Sequence, residues 1–354
     1  MKALILSGGT GSRLRPLTYT GAKQLIPVAN KPILFYAIEA IRDAGIHEIG
    51  IIVGDTREEV KRAVGDGSPW GVKVTYIEQD APRGLAHAVK ISAGFVGDDD
   101  FLMFLGDNLV RDGVSAFVHQ FRTRNPNSLI LLSRVPDPQR FGVAELENGR
   151  VVRLIEKPDV PPSDLALVGV YLFDKNIFTA VNAIKPSRRN ELEITDAIQY
   201  LVDHEFVVDS HVIEGWWKDT GKPEDVLEAN RMMLEYIDSD VRGTVDEESQ
   251  IFGRAVVAPD AEIINSIIRG PVMIGQGARI VDSYIGPFTA ISERVQVLGS
   301  EVENSIVLQD TIIDQIPTRI DSSLIGKNVR IARIADRPKA LNFVLGDNSR
   351  ADVQ

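Results

Sequence analysis

A chain of 354 residues with a formal net charge of −11 and no cysteine is long enough for two domains or one large one plus an appendage. Its acidity disfavours nucleic acid, which is held by broad basic surfaces; the missing thiols exclude disulfides, thiolate catalysis and Cys-ligated metals. No run approaches the length of a transmembrane helix and the N-terminus reads as a strand, so the expectation is a cytoplasmic protein with no membrane partner.

The first strand is Ala3-Leu4-Ile5-Leu6, stopping at Ser7. Gly8, Gly9, Thr10, Gly11 and Ser12 follow, where glycine permits positive φ and close backbone approach to a ligand. Arg13, Arg15 and Lys23 come next, with Pro16 and Pro27 preventing one uninterrupted helix. Exposed N–H groups beside three cations suit a ligand with several negative charges, and a nucleoside triphosphate is the expectation. A dinucleotide fingerprint would need a third glycine where Leu14 stands, and a Walker loop would need Gly-Lys-Ser/Thr at its end. A purely structural glycine turn is the plain alternative, and the packed cations argue against it.

To about residue 237, short apolar runs alternate with amphipathic stretches, as in an α/β domain. Strands are expected at 49–53, 72–77, 101–105 and 129–132, and helices at 33–44, 57–64, 85–93 and 114–124. Thr56 and Glu59 have capping-box spacing, and Gly45 is placed to end the first helix in a left-handed cap. The strand runs are continuous, which suits a parallel sheet covered on both faces. Beyond Pro136, residues 142–146 and 151–155 flank Asn148-Gly149, a hairpin signal. Strands at 165–173 and 207–213 and helices at 175–183, 194–203 and 223–237 complete what reads as an insertion building a second wall over the sheet.

Residues 238–250 form an acidic linker. Beyond it Ile268, Ile274 and Ile280 stand six apart, as do Ile285, Ile291 and Val297, then Ile325 and Ile331. A helix cannot hold that period; a triangular β-coil can, and 251–335 reads as a short, irregular β-helix, slipping between Ile280 and Ile285 and breaking at Pro317. An irregular β-sandwich is the alternative. The polar tail, 336–354, reads as loose apart from Phe343-Val344-Leu345.

Asp107, in Leu105-Gly106-Asp107-Asn108, follows a buried strand on the sheet edge that carries the glycine loop. Asp219 lies at a strand-to-helix junction. Two carboxylates meeting at one cleft would form a magnesium site for phosphoryl chemistry, although either alone also reads as a turn residue. Glu156 and Lys157 close the hairpin. A lysine suits a phosphate and a glutamate accepts from sugar hydroxyls, against the alternative of a solvated ion pair. Gly142 permits close approach or a bulge, and Gln79 carries an amide that matches a pyrimidine edge, near Gly84 at a helix start. The five histidines show no ligand spacing.

Gly8 to Thr18 with Lys23-Gln24-Leu25-Ile26-Pro27-Val28, Pro82-Arg83-Gly84-Leu85-Ala86, Leu105-Gly106-Asp107-Asn108, Glu156-Lys157-Pro158, Glu191-Leu192-Glu193-Ile194-Thr195-Asp196 and Trp217-Lys218-Asp219-Thr220-Gly221 resemble the motifs of the sugar-phosphate nucleotidylyltransferases, in family order across residues 1–237. The extended chain is similar to the long form of the family's thymidylyl-transferring branch, found in deoxysugar and antibiotic pathways. That resemblance implies a Rossmann-like nucleotidyltransferase domain followed by a left-handed β-helix, and transfer from dTTP to glucose 1-phosphate with Mg2+. It implies catalytic roles for Arg13, Lys23 and Lys157. The nucleotide would be held by Leu6, Gly8, Gly9, Thr10, Gly11, Ser12, Gln24, Gln79 and Gly84. Asn108, Gly142, Glu156 and Lys157 would seat the sugar phosphate, and Asp107 and Asp219 the metal. Ser12 stands where threonine is common and Arg83 where aspartate is, the latter bearing on the choice of nucleotide.

Other readings are a UTP-using relative, a nicotinamide-dependent reductase, a regulatory or scaffold subunit, and a β-helix acyltransferase. The reductase lacks its third glycine and an acid closing strand 49–53; the acyltransferase lacks a histidine in 251–335. Assembly or regulation is the expected job of the second domain, and a homo-oligomer is expected.

Overall fold

The structure is a computed structural model describing residues 1–333 and 347–352; the expectations for residues 343–345, and for most of the tail, fall outside them. The chain forms two compact units. The first comprises Met1–Thr10, Gly21–Leu25 and Ile33–Asp219; the second comprises Gly11–Thr20, Ile26–Pro32 and Thr220–Gln354.

In the first unit Lys2–Ser7 pairs in parallel with Glu48–Val53 on one side and Phe101–Leu105 on the other, and Lys73–Glu78 adds beyond Glu48–Val53. Side chains alternate along Lys2–Ser7. Ala3 and Ile5 enter a core built with Leu34, Ile38, Ile41 and Phe117, while Leu4 and Leu6 enter one built with Ala86, Val89, Ile194 and Ile198. Both faces are therefore covered, which is why Ala3 to Leu6 is an unbroken apolar run.

The region after residue 136 does not build a second wall. Gly142–Glu147, Arg150–Glu156 and Leu165–Phe173 extend the same sheet, with Leu165–Phe173 antiparallel to Phe101–Leu105 and Ser128–Arg134, and Val208–Val212 parallel to Ser128–Arg134. Asn148 and Gly149 take φ of 49° and 78°, the two positive angles of a tight hairpin turn. Gly45 has φ 75° just past the helix Ile33–Asp43, as a left-handed cap requires. The Thr56 cap does not form: its side chain makes no bond to the helix Arg57–Val64. Glu59, its would-be partner, instead accepts from the Ala22 N–H at 2.7 Å.

In the second unit, strands of two or three residues stack in parallel into three sheets, consistent with a left-handed β-helix. Ile263, Ile280, Val297, Ile313 and Ile331 form one inward column, and Ile268, Ile285, Val302 and Ile320 another. The slip between Ile280 and Ile285 is no irregularity. Ile268, Ile274 and Ile280 lie in successive sheets and Ile285 restacks on Ile268, so the coil is seventeen residues long. A serine ladder staples one corner. The Ser266, Ser283 and Ser300 amides donate to the hydroxyls of Ser249, Ser266 and Ser283, one coil earlier in each case. Also in this unit, the buried Asn230 of helix Pro223–Leu234 accepts from Ala29 N–H at 2.8 Å and donates to Phe288 O at 2.9 Å. It thereby fastens the hairpin turn Ala29-Asn30 to the β-coil. Among the described residues no helix is long and apolar enough to cross a membrane.

Candidate functional site

In an open α/β sheet, ligands bind beyond the carboxyl ends of the strands where the strand order reverses. Here that point lies between Lys2–Ser7 and Phe101–Leu105, where the Gly106 N–H continues the ladder by donating to Leu6 O at 3.0 Å. A cavity of about 200 Å3 opens there. Of the sequence-predicted residues, Leu6, Gly8, Gly9, Lys23, Gln24, Gln79, Gly84 and Asp107 line it. Thr10 is exposed directly after these glycines. Gly11, Ser12 and Arg13 fall in the second unit. There Gly11 has φ 65°, Ser12–Leu14 is a single 3-10 turn, Thr18 Oγ1 donates to Gly11 O at 2.7 Å, and Arg13 is exposed.

Lys23 pairs with Asp107 through Nζ and Oδ2. Asn108 Nδ2 donates to Asp107 Oδ1 at 3.0 Å, and the Trp217 indole N–H donates to Asn108 Oδ1. Burial acts to raise the Asp107 carboxyl, but the Lys23 ammonium and the Asn108 amide outweigh it and hold the group below the usual carboxylate range. Gln24 is buried, and its Oε1 has no hydrogen-bond partner among the described residues. Gln24 also lines the cavity, and a buried acceptor without a partner calls for a donor.

Asp219 comes to this site through a two-stranded ribbon. Trp217–Asp219 runs antiparallel to Asn108–Val110 with Asp219 opposite Asn108, so the two acids occupy neighbouring positions. No cluster of three or more His, Cys, Asp or Glu able to hold a metal occurs among the described residues. Two carboxylates without further protein ligands suit magnesium, which keeps several waters and takes its other oxygens from phosphates. The donor set fits that ion.

Gly84, at the start of helix Leu85–Ile91, has φ 99°, and a Cβ there would sit 2.3 Å from Leu192 O. The glycine lets 83–86 lie against Leu192, whose N–H donates to Arg83 O at 2.8 Å and whose carbonyl accepts from Ala86 N–H at 3.0 Å. This contact ties the cavity to a second cluster around Glu156. Arg189 Nη1 reaches Glu156 Oε1 at 3.2 Å and Glu193 Oε1 at 3.3 Å, while its Nη2 reaches Glu191 Oε1 at 3.0 Å. Glu191 lines the cavity. Lys157 Nζ lies 3.7 Å from Glu156 Oε1, and its backbone is held at φ 42°, an uncommon angle for a lysine. Gly142 is close-packed: a Cβ there would meet Thr195 Cγ2 at 2.7 Å and Glu156 Oε2 at 3.1 Å. Burial raises the Glu156 carboxyl, Glu193 adds to it, and Lys157 and Arg189 oppose.

Sequence reasoning missed Arg189 and His87. Arg189 had a signal in the paired Arg188-Arg189 just before the acid-rich 191–196, but nothing local said which arginine turns inward. The structure thus gathers a cavity with an acid–lysine pair, a second acid one ribbon away, and a cluster of two cations and three glutamates joined through Arg189.

The nucleotidyl transferase family matches residues 2–236. Over the full length of both chains, the sequence is 54% identical to a glucose-1-phosphate thymidylyltransferase of Streptomyces antibioticus. It is 49% identical, over 99% of each chain, to the low-salt glycan biosynthesis nucleotidyltransferase Agl11 of Haloferax volcanii. A crystal structure from Bacillus anthracis assigned to the glucose-1-phosphate thymidylyltransferases, in complex with sucrose, superposes with a TM-score of 0.63 at 36% identity, covering 68% of this chain and 97% of the other.

Proposed function

The chain belongs to the nucleotidyl transferase family, and on that premise we propose that it transfers a thymidylyl group from dTTP to glucose 1-phosphate, releasing pyrophosphate. The observation that carries this reading is Arg189, which links Glu191 of the cavity to Glu156 of the neighbouring cluster. Two ligands bound on either side of it would meet. The full-length similarity to a thymidylyltransferase supports the choice of substrates.

A sugar-phosphate oxygen attacks the α-phosphorus of dTTP. The new O–P bond forms as the bond to the β-phosphate's bridging oxygen breaks, and that electron pair leaves with pyrophosphate. Phosphate is already a competent nucleophile, so no covalent enzyme intermediate is needed. The chain contributes positioning and charge. Lys23 and Arg13 neutralise the departing pyrophosphate, with backbone N–H groups of Gly8 to Ser12 cradling the triphosphate. Gln79 and Gly84 read the base beside Leu6, and the open Oε1 of Gln24 accepts from the deoxyribose hydroxyl. Lys157 and Arg189 hold the incoming phosphate, while Glu156, Asn108 and the Gly142 backbone seat the sugar. Asp107 and Asp219 would hold Mg2+, which when bound supplies a positive charge shared with the phosphate oxygens.

The three-sheet region serves assembly or regulation; residues 251–335 contain no histidine to act as base in acyl transfer. Light scattering on the intact protein checks the assembly, and a monomer would refute it. The test of the activity is pyrophosphate release across a matrix of nucleoside triphosphates and sugar 1-phosphates with Mg2+. Turnover highest for dTTP with glucose 1-phosphate is expected, and no turnover with any pair would end the reading.

A further inference from the structure

Gln79 follows the strand Lys73–Glu78 and lines the cavity. Its Nε2 lies 3.5 Å from the Gly84 carbonyl oxygen and 3.1 Å from Nδ1 of His87, on the helix Leu85–Ile91. A carbonyl can only accept, so the amide group facing Gly84 is the NH2. The same nitrogen faces His87 Nδ1, which must then present its lone pair and carry the ring proton on Nε2. Both amide hydrogens are thereby engaged, and Oε1 is what Gln79 has left to offer a ligand. A Cβ on Gly8 would stand 3.0 Å from that oxygen, so the bare glycine keeps it uncovered.

We propose that His87 is a positioning residue whose Nδ1 lone pair fixes the Gln79 amide with Oε1 presented to the ligand, so that the cavity selects a base bearing an N–H donor. The inference rests on the base-reading role given to Gln79 above. Thymine and uracil carry an imide N–H on their pairing edge. Cytosine carries a lone pair there and would face acceptor with acceptor, leaving both unpaired. Nucleotide choice is then tied to the protonation state of an imidazole that touches no substrate. A protonated His87 would set an Nδ1–H donor against the Gln79 NH2, and turning the amide over would set Oε1 against the Gly84 carbonyl, so in that state neither orientation is satisfied and Oε1 is no longer held toward the ligand.

Several groups bear on that ring. Burial is the largest influence on His87 and lowers its pKa; Arg83 and Lys90 lower it further, and Asp80 opposes them. Glu191 lines the cavity beside Gln79. Of the helices packed on Leu85–Ile91, Ile177–Ala183 carries no charged residue and Ile194–Asp203 carries Asp196 and Asp203. The direction of the shift keeps the ring neutral at neutral pH, which is the state the amide geometry requires.

The experiment compares initial rates with dTTP and dCTP in the wild type, His87→Phe and His87→Gln across mildly acidic to neutral pH. His87→Phe is expected to raise KM for dTTP and narrow the dTTP-to-dCTP ratio of kcat/KM, each about tenfold, the scale of one lost buried hydrogen bond, with kcat changed far less. The wild-type KM for dTTP should climb as the pH falls below the ordinary imidazole range, because the His87 pKa is lowered. His87→Gln, whose carbonyl accepts the same hydrogen bond without titrating, should keep the selectivity and lose that acid limb. Unchanged KM and selectivity in His87→Phe would overturn the proposal, as would an acid limb identical in wild type and His87→Gln. The latter comparison decides alone if His87→Phe does not fold. A wild type that used purine triphosphates and no pyrimidine would remove the base-reading role itself; a dTTP-selective wild type with indifferent variants would remove only the part assigned to His87.

Discussion

Lys23 and Asp107 form an ion pair in the wall of the cavity, with side chains only 15% and 13% exposed. On the metal role proposed for Asp107, the ammonium occupies the carboxylate that a magnesium ion would need, so lysine and metal would compete until phosphate oxygens arrive to share both. Lys23→Ala should therefore bind Mg2+ more tightly in the absence of nucleotide while losing about 10²-fold in kcat, the scale for one charge-stabilising donor. Asp107→Asn should lose activity at least as strongly and need more Mg2+ for half-maximal rate. Calorimetric metal titration with steady-state kinetics checks both; equal metal affinity in Lys23→Ala and wild type would contradict the competition.

Arg189 pairs with Glu156, Glu191 and Glu193 together. Its loss should raise KM for glucose 1-phosphate by about tenfold to a hundredfold, the range for a charged hydrogen bond, with KM for dTTP less affected. It should also lower the melting temperature, because Glu193 is buried and would be left without its cation. Arg189→Lys should restore little, since a single ammonium cannot span three carboxylates as the two-armed guanidinium does.

Glu156 predicts a pH dependence of stability. Its folded-state pKa is raised, chiefly by burial and then by Glu193. A raised carboxyl binds its proton more tightly in the folded state, so its stabilising contribution is complete below the unfolded value of about 4.3 and is lost as pH rises through the folded value. Glu156→Gln should therefore melt higher than wild type near neutral pH, and the difference should close at acid pH. The same variant should bind glucose 1-phosphate less well. A melting-temperature difference that stayed constant with pH would refute the assignment.

Gly142→Ala adds a methyl 2.7 Å from Thr195 Cγ2 and 3.1 Å from Glu156 Oε2. The overpacking should cost about 1–3 kcal/mol and impair use of the sugar phosphate by displacing Glu156. Adding Thr195→Ser removes the clashing methyl and should recover part of the stability. Urea unfolding of the single and double variants measures this.

In the β-coil, Ser283→Ala removes the hydroxyl that accepts from the Ser300 N–H at 3.2 Å and donates to Val281 O at 2.6 Å. A buried N–H left unpaired should cost about 1–3 kcal/mol. The catalytic rate should be unchanged.

The parallel strands, the glycine loop and Asp107 were legible because their signals are local: a continuous apolar run, a cluster of glycines, an acid at a strand end. Where partners come from afar, the reading failed. Thr56 lost its cap because Glu59 serves Ala22. The hairpin at 142–156 was visible as a hairpin, but that it extends the main sheet depends on Leu165–Phe173, which meets Phe101–Leu105 along one half and Val143 at a single position in the other. Arg189 could not be singled out from Arg188, since its direction is set by Glu193, itself oriented by Ser187 at 2.8 Å. His87 has no metal-ligand spacing in the sequence, and that pattern has no bearing on a ring placed beside the Gln79 amide.

The serine ladder sets the grain of the second unit's length. Because each staple joins a serine to the residue one full coil onward, a deletion of seventeen residues would remove a storey and let the flanking serines meet again, whereas one of sixteen would leave every later corner out of step. The fold tolerates a departure where the next coil makes it good. Val297 to Ile313 is a step of sixteen, and Ile316 N–H takes its rung from Ser300, also sixteen residues earlier, at 2.9 Å; the step from Ile313 to Ile331, which contains Pro317, is eighteen and restores the register. Relatives of different size should accordingly differ by whole storeys, and the corner at Pro317 is where a tag or loop could be inserted without disturbing the stack.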